Sequence, residues 1–85
     1  MNYRVILFYK YVPVENPQEI VDQHLQWCLR NEIRGRVFIA GEGINGTVSG
    51  TAENIEKYKT HLRSYSAFND VWFKEDEAEE HAFFK

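Results

Sequence analysis

Eighty-five residues bound one small domain, and a content of 44% hydrophobic and 15% aromatic residues is enough to fill a core, which excludes a disordered chain. The single cysteine, Cys28, excludes an internal disulfide and points to a reducing compartment. The net charge of -3 is concentrated in the segment 75–80, while residues 1–74 carry nine basic and eight acidic side chains, so no global basic field marks a nucleic-acid binder.

The β-branched and aromatic run Tyr3 to Val12 predicts a first strand that Pro13 ends. Asn16-Pro17-Gln18-Glu19 has the chemistry of a helix start: Asn at the cap, Pro at the first helical position, Glu three residues after the cap. The helix is expected to run to Arg30 or Asn31. Ile20, Val21, His24, Leu25 and Cys28 share one face, Trp27 and Leu29 flank it, and Arg34-Gly35 reads as the turn that follows. Arg36 to Ala40 predicts a second strand and Gly46 to Ser49 a third. The Asn45-Gly46 pair between them carries the hairpin signal, with positive φ expected at one of the two. Thr51 caps a second helix whose buried stripe is Ile55, Tyr58, Leu62 and Tyr65. Phe68-Asn69-Asp70 turns into a fourth strand, Val71 to Lys74, and the acidic segment 75–80 reads as a solvated loop. His81-Ala82-Phe83-Phe84-Lys85 opens a new apolar run, which suggests the N-terminal piece of a longer protein.

The order β-α-β-β-α-β with short connections predicts an α+β, ferredoxin-like sandwich over residues 1–85. It has a four-stranded antiparallel sheet in the order 4-1-3-2 and both helices on one face. No apolar run approaches the roughly 18 residues of a membrane span, and no cleavable signal follows Met1. A cytoplasmic chain with no membrane partner is expected.

The glycine run Gly41 to Gly50 contains two decoys. Gly41-Glu42-Gly43-Ile44-Asn45-Gly46 spells the dinucleotide-binding pattern, which needs a helix to start at the loop, but Thr47 and Val48 continue as strand. The kinase-like reading lacks every other kinase motif. The N–H groups of Gly41, Gly43 and Gly46 could form an anion-binding nest, but a structural turn is the simpler reading. Glu42 has no titratable companion placed by sequence, so it is read as holding the turn by a hydrogen bond.

Side chains of a strand alternate between its two faces. Val5, Leu7, Val37, Ile39, Val48, Val71 and Phe73 are assigned to the helices. The open face then presents Arg4, Ile6, Phe8, Lys10, Arg36, Phe38, Ala40, Thr47, Ser49, Trp72 and Lys74. Aromatic rings interleaved with cations suit unpaired nucleobases and phosphate. The competing reading is an apolar surface that another part of a longer protein covers. Arg4, Phe8, Lys10, Arg36, Phe38, Trp72 and Lys74 are thus candidate contacts to RNA or to a second domain. Cys28, late in a helix and on its apolar side, is poorly placed to become a thiolate and reads as a core thiol. His24 and Cys28 could share a metal, but His61 and His81 complete no ligand spacing. No catalytic, cofactor or metal residue is therefore assigned.

Phe8-Tyr9-Lys10-Tyr11, Gly35-Arg36-Val37 and, above all, Glu42-Gly43-Ile44-Asn45-Gly46 resemble the N-terminal domain of the rhodanese-related tRNA uridine hydroxylases (the TrhO or YceA family) along the whole chain. The resemblance implies an acylphosphatase-like domain followed by a rhodanese-like domain. The parent would be an oxygen-dependent oxidoreductase that converts the wobble uridine of certain tRNAs to 5-hydroxyuridine. Molecular oxygen would be used by the full-length protein, with no cofactor in this chain. The family's catalytic cysteine would lie beyond Lys85, so Cys28 inherits no role. No Gly-Arg-Val-Gln-Gly loop follows the first strand, so acylphosphatase activity is not implied. Two roles remain open for this domain: tRNA binding or positioning, or a non-catalytic interaction domain that packs on a rhodanese-like sulfurtransferase domain.

Overall fold

The computed structural model describes residues 2–78. Its elements are β1 (Tyr3–Tyr11), α1 (Pro17–Arg30), β2 (Arg34–Ala40), β3 (Gly43–Thr51), α2 (Ala52–Arg63), a 3-10 turn at Ser66–Phe68, and β4 (Phe73–Ala78). All strand pairs are antiparallel, in the order β2-β3-β1-β4. This is the expected order read from the other edge. Both helices lie on one face: Tyr58 of α2 meets the Phe8 ring of β1 at 6.0 Å and hydrogen-bonds His24 of α1. The predicted ferredoxin-like sandwich is what forms.

The core is built from Ile6 and Phe8 of β1, Ile44 and Val48 of β3, and Ile55, Tyr58 and Leu62 of α2, closed by Phe68, Val71 and Phe73. Each fully buried side chain of this size contributes about 1.5–3 kcal/mol. Helix α1 adds His24 and Cys28. Thr51 caps α2 as expected, its side chain accepting from the Asn54 N–H at 3.1 Å.

Several local expectations are corrected. The most consequential is the face of β1. Ile6 and Phe8 are 0% and 4% exposed and face the helices, while Leu7, Tyr9 and Tyr11 face outward. Cross-strand register fixes this: Ile6 pairs with Val48 and Phe8 with Gly46. A one-residue change of parity moves every side chain of a strand to the other side. Arg4 and Lys10 share the inner parity, yet they sit at the strand ends, where their stems cover apolar surface and their charges reach carboxylates.

The hairpin turn is also displaced. It consists of Gly41 and Glu42, with Ala40 paired to Gly43, while Asn45 and Gly46 lie inside β3. Neither takes positive φ; the left-handed residues are Asn16, Glu32, Gly35 and Gly43. The α1 cap differs in mechanism. Asn16 itself has φ 54° and makes no side-chain cap bond; its carbonyl accepts from the Glu19 N–H at 3.1 Å. The turn after α1 is Asn31-Glu32, so Arg34-Gly35 already belongs to β2. Residues 75–78 are strand, not loop, because Glu75 and Glu77 have cationic partners across the sheet. Residues 79–80 of the acidic segment and the apolar run 81–85 lie outside the described residues.

Candidate nucleic-acid interface

The signature Glu42 to Gly46 is a folding device. β1 is followed by an extended segment that holds the turn from its side: the Val12 N–H donates to the Glu42 carbonyl at 3.1 Å and the Val14 N–H to the Gly41 carbonyl at 2.9 Å. The Glu42 backbone carbonyl, not its carboxylate, accepts the bond. Gly43 has φ 149°, and a Cβ there would stand 2.1 Å from the Lys10 carbonyl oxygen. No other residue fits that backbone. Ile44 enters the core, Asn45 points to the open face beside Phe38, and Gly46 lies beneath the Phe8 ring. Gly43 and Gly46 are spread along the β3 ladder opposite Tyr11 and Phe8. Their N–H groups do not converge with that of Gly41 into an anion nest.

The outer face of the sheet carries the surface of interest. β2 contributes Arg36 and Phe38, β3 contributes Asn45 and Thr47, β1 contributes Leu7 and Tyr9, and Trp72 and Lys74 stand at β4. They enclose a groove of about 630 Å³. Phe38, Trp72 and Tyr9 are 67%, 73% and 72% exposed, far more than core aromatics tolerate. Tyr11, 6.1 Å from Tyr9 ring to ring, extends the row. Because β2 and β4 are opposite edges of the sheet, the two walls are three strand spacings apart, about 14 Å.

Several cations are consumed within the fold. On the helix side, Arg4 reaches Glu77 at 3.1 Å and Glu75 at 3.6 Å. Lys10 pairs with Asp70, and Lys59 with Glu56 and Glu75. Arg63 donates twice to the Val71 carbonyl and covers the Phe73 ring at 4.8 Å. Among the described residues no ion pair engages Arg34, Arg36 or Lys74. Of the seven candidate contacts, Arg36, Phe38, Trp72 and Lys74 therefore sit together on the open face, whereas Arg4, Phe8 and Lys10 do not. Leu7, Tyr9 and Tyr11 take their place. The signal for them was the tyrosines, whose hydroxyl tips favour a wet surface over a closed core.

Between the helices, His24 Nε2 lies 2.8 Å from the Tyr58 hydroxyl and 3.7 Å from the Cys28 sulfur. Burial, with His61 adding to it, lowers His24 to about 4, and burial raises the Cys28 thiol to about 12. The Tyr58 phenol is also pushed well above its usual value by burial. A nucleophilic Cys–His pair needs thiolate, and this environment opposes both charges. The His61 ring stacks on Trp27 at 4.6 Å and completes an aromatic seam. No group of three or more His, Cys, Asp or Glu suited to a metal occurs among the described residues. No helix among them is long and apolar enough to cross a membrane. A second groove, about 610 Å³, runs between α1 and β2 beside the exposed Leu25 and Leu29.

Comparison with known proteins adds a decisive observation: the model of the UPF0176 acylphosphatase like domain matches residues 3–85. The chain belongs to this family. The acylphosphatase-like domain is 49% identical over 84 residues to a tRNA uridine(34) hydroxylase of Acholeplasma laidlawii (strain PG-8A), a match covering 99% of this chain and 26% of the relative. It is 48% identical over 85 residues to a tRNA uridine(34) hydroxylase of Staphylococcus carnosus (strain TM300), covering 100% and 27%. A tRNA uridine(34) hydroxylase of Bacillus licheniformis is 49% identical over 83 residues, covering 98% and 26%. The chain thus spans about a quarter of the length of the curated relatives it matches.

Proposed function

We propose that this acylphosphatase-like domain is the N-terminal part of an oxygen-dependent tRNA hydroxylase that forms 5-hydroxyuridine at the wobble uridine, acting in the cytoplasm. Its own task is to bind or position tRNA, and the chemistry belongs to the rest of the protein. The carrying observation is the near-complete match of this chain to proteins named tRNA uridine(34) hydroxylase. The neutral, buried His24–Cys28–Tyr58 cluster supports a non-catalytic role here. The test is mass spectrometry of tRNA nucleosides from cells with and without the longer gene. Loss of 5-hydroxyuridine on deletion and its return on complementation are expected; an unchanged nucleoside profile refutes the reading.

The α1–β2 groove favours a second role alongside the first. Leu25 and Leu29 are 55% and 70% exposed on α1, beside β2, an edge strand of the sheet among the described residues. Such a surface suits packing against a rhodanese-like domain of the same chain.

A further inference from the structure

We propose that the open face of the sheet is a stacking platform for unpaired nucleobases of single-stranded RNA, as in a tRNA loop, with Arg36 and Lys74 holding the flanking phosphates. The inference rests on the tRNA reading above and names the surface that performs it. Phe38 and Trp72 rise from opposite edges of the sheet, and Leu7 with Tyr9 forms an apolar floor between them. Every nucleobase has a π face, so an aromatic floor accepts it without reading its identity. Asn45 and Thr47 lie on the same floor and supply donors and acceptors for a base edge.

Charge separates this occupant from an apolar protein surface. Arg36 and Lys74 flank the groove without a carboxylate partner among the described residues, and both line it together with the exposed rings of Phe38 and Trp72. Cations left free beside exposed rings fit a polyanion whose bases can leave the stack. A duplex keeps its bases stacked inside and offers the rings only its two terminal base pairs.

The test uses the 85-residue chain and, in parallel, the longer protein that carries it. The probe is an oligouridylate of about 10 nucleotides, within the usual range of single-strand sites. A blunt RNA duplex of about 16 base pairs is the comparison. The single strand should quench Trp72 fluorescence saturably and bind at least about 10-fold tighter than the duplex. Phe38→Ala or Trp72→Ala should weaken binding roughly 10-fold each, with far-UV circular dichroism unchanged, and Trp72→Phe should restore most of it. Arg36→Ala with Lys74→Ala should flatten the salt dependence by about 1.4 slope units, from about 0.7 per phosphate contact. Arg4→Ala and Lys10→Ala should leave binding alone.

Equal affinity for duplex and single strand, or unchanged affinity in folded Phe38→Ala and Trp72→Ala variants, overturns the platform. So does the absence of RNA binding combined with protection of Trp72 by the remainder of the longer protein, which makes the face a protein contact. Hydroxylation assays keep the two readings apart. If the wild-type longer protein modifies tRNA and the Phe38→Ala/Trp72→Ala variant does so with the same kcat/KM, the platform fails and the hydroxylase reading stands. Single-strand binding by a longer protein that never modifies tRNA leaves the platform standing and removes the hydroxylase reading.

Discussion

Gly46 lies inside β3, packed against Val37 of β2 and the Phe8 ring of β1. The Asn-Gly pair suggests a left-handed turn, but Gly46 is in mid-strand, and what it needs is the absence of a side chain. A Cβ there would lie 2.8 Å from Val37 Cγ2, 2.9 Å from the Arg36 carbonyl oxygen and 3.1 Å from Phe8 Cζ. Gly46→Ala should therefore destabilise by about 1–3 kcal/mol through overpacking. Each kcal/mol lowers the melting temperature of a domain this size by about 4–8 °C; a melt identical to wild type would show that the sheet accommodates the methyl. His24 carries the pH dependence. Its folded value, about 4, lies below the ordinary 6.5, so the unfolded chain binds the proton more readily. Stability is complete above 6.5 and declines as pH falls from 6.5 toward 4, by roughly 3 kcal/mol at most. His61 is lowered too and acts in the same direction, while Tyr58 and Cys28, which face His24, stay neutral in that window. Denaturant melts across this range should show a shallower decline in His24→Gln than in wild type; parallel declines would assign the effect elsewhere.

At the scale of elements, the order of strands and helices was legible because each piece carries its own period and punctuation. β-branched runs, the Pro17 start of α1 and the Thr51 cap of α2 are local signals, and local signals survive into the fold. What was not legible depends on partners distant in sequence. In β1 both parities are apolar, Val5-Leu7-Tyr9 against Ile6-Phe8, and the charges of Arg4 and Lys10 argued for the wrong one. Only Glu75, Glu77 and Asp70, some 60 to 73 residues away, show where those charges go. Alternation accordingly places the side chains of β2 and β4 on the faces they occupy and inverts those of β1. The end of α1 hides a similar case. The Ile33 N–H donates to the Cys28 carbonyl at 3.0 Å, the long bond of a Schellman motif, and Glu32 occupies the left-handed position that glycine usually fills. Glu32→Gly removes a penalty of about 1–2 kcal/mol and adds less than about 1 kcal/mol of chain entropy, a net gain near 0.5–1 kcal/mol. Asn16 has the same φ of 54°, but Asn tolerates it, so Asn16→Gly should change little. A melting temperature raised by Glu32→Gly and not by Asn16→Gly is the expected pair of results; a destabilised Glu32→Gly contradicts the strain argument.

At the scale of the whole molecule, the helix seam and the sheet face differ in what they can do. In the seam, the groups with nucleophilic potential are held in their neutral forms. Cys28 is buried between α1 and the sheet with its thiol at about 12, and its nearest base, His24, is held near 4 and engaged by the Tyr58 hydroxyl. At neutral pH the population of thiolate with a charged imidazole is negligible, so proton transfer between them assembles no nucleophile. Cys28→Ser should cost stability, because a more polar hydroxyl enters a site built for sulfur, yet it should leave the tRNA hydroxylation proposed for the longer protein intact wherever the variant folds. The isolated 85-residue chain should neither hydroxylate tRNA nor hydrolyse an acyl phosphate. Both statements are checked together, by nucleoside mass spectrometry for hydroxylation and by release of inorganic phosphate from acetyl phosphate. Turnover by the purified wild-type chain that disappears in a folded Cys28→Ser variant would place the chemistry in this domain. Retained hydroxylation by the Cys28→Ser longer protein shows that the reaction does not need this thiol.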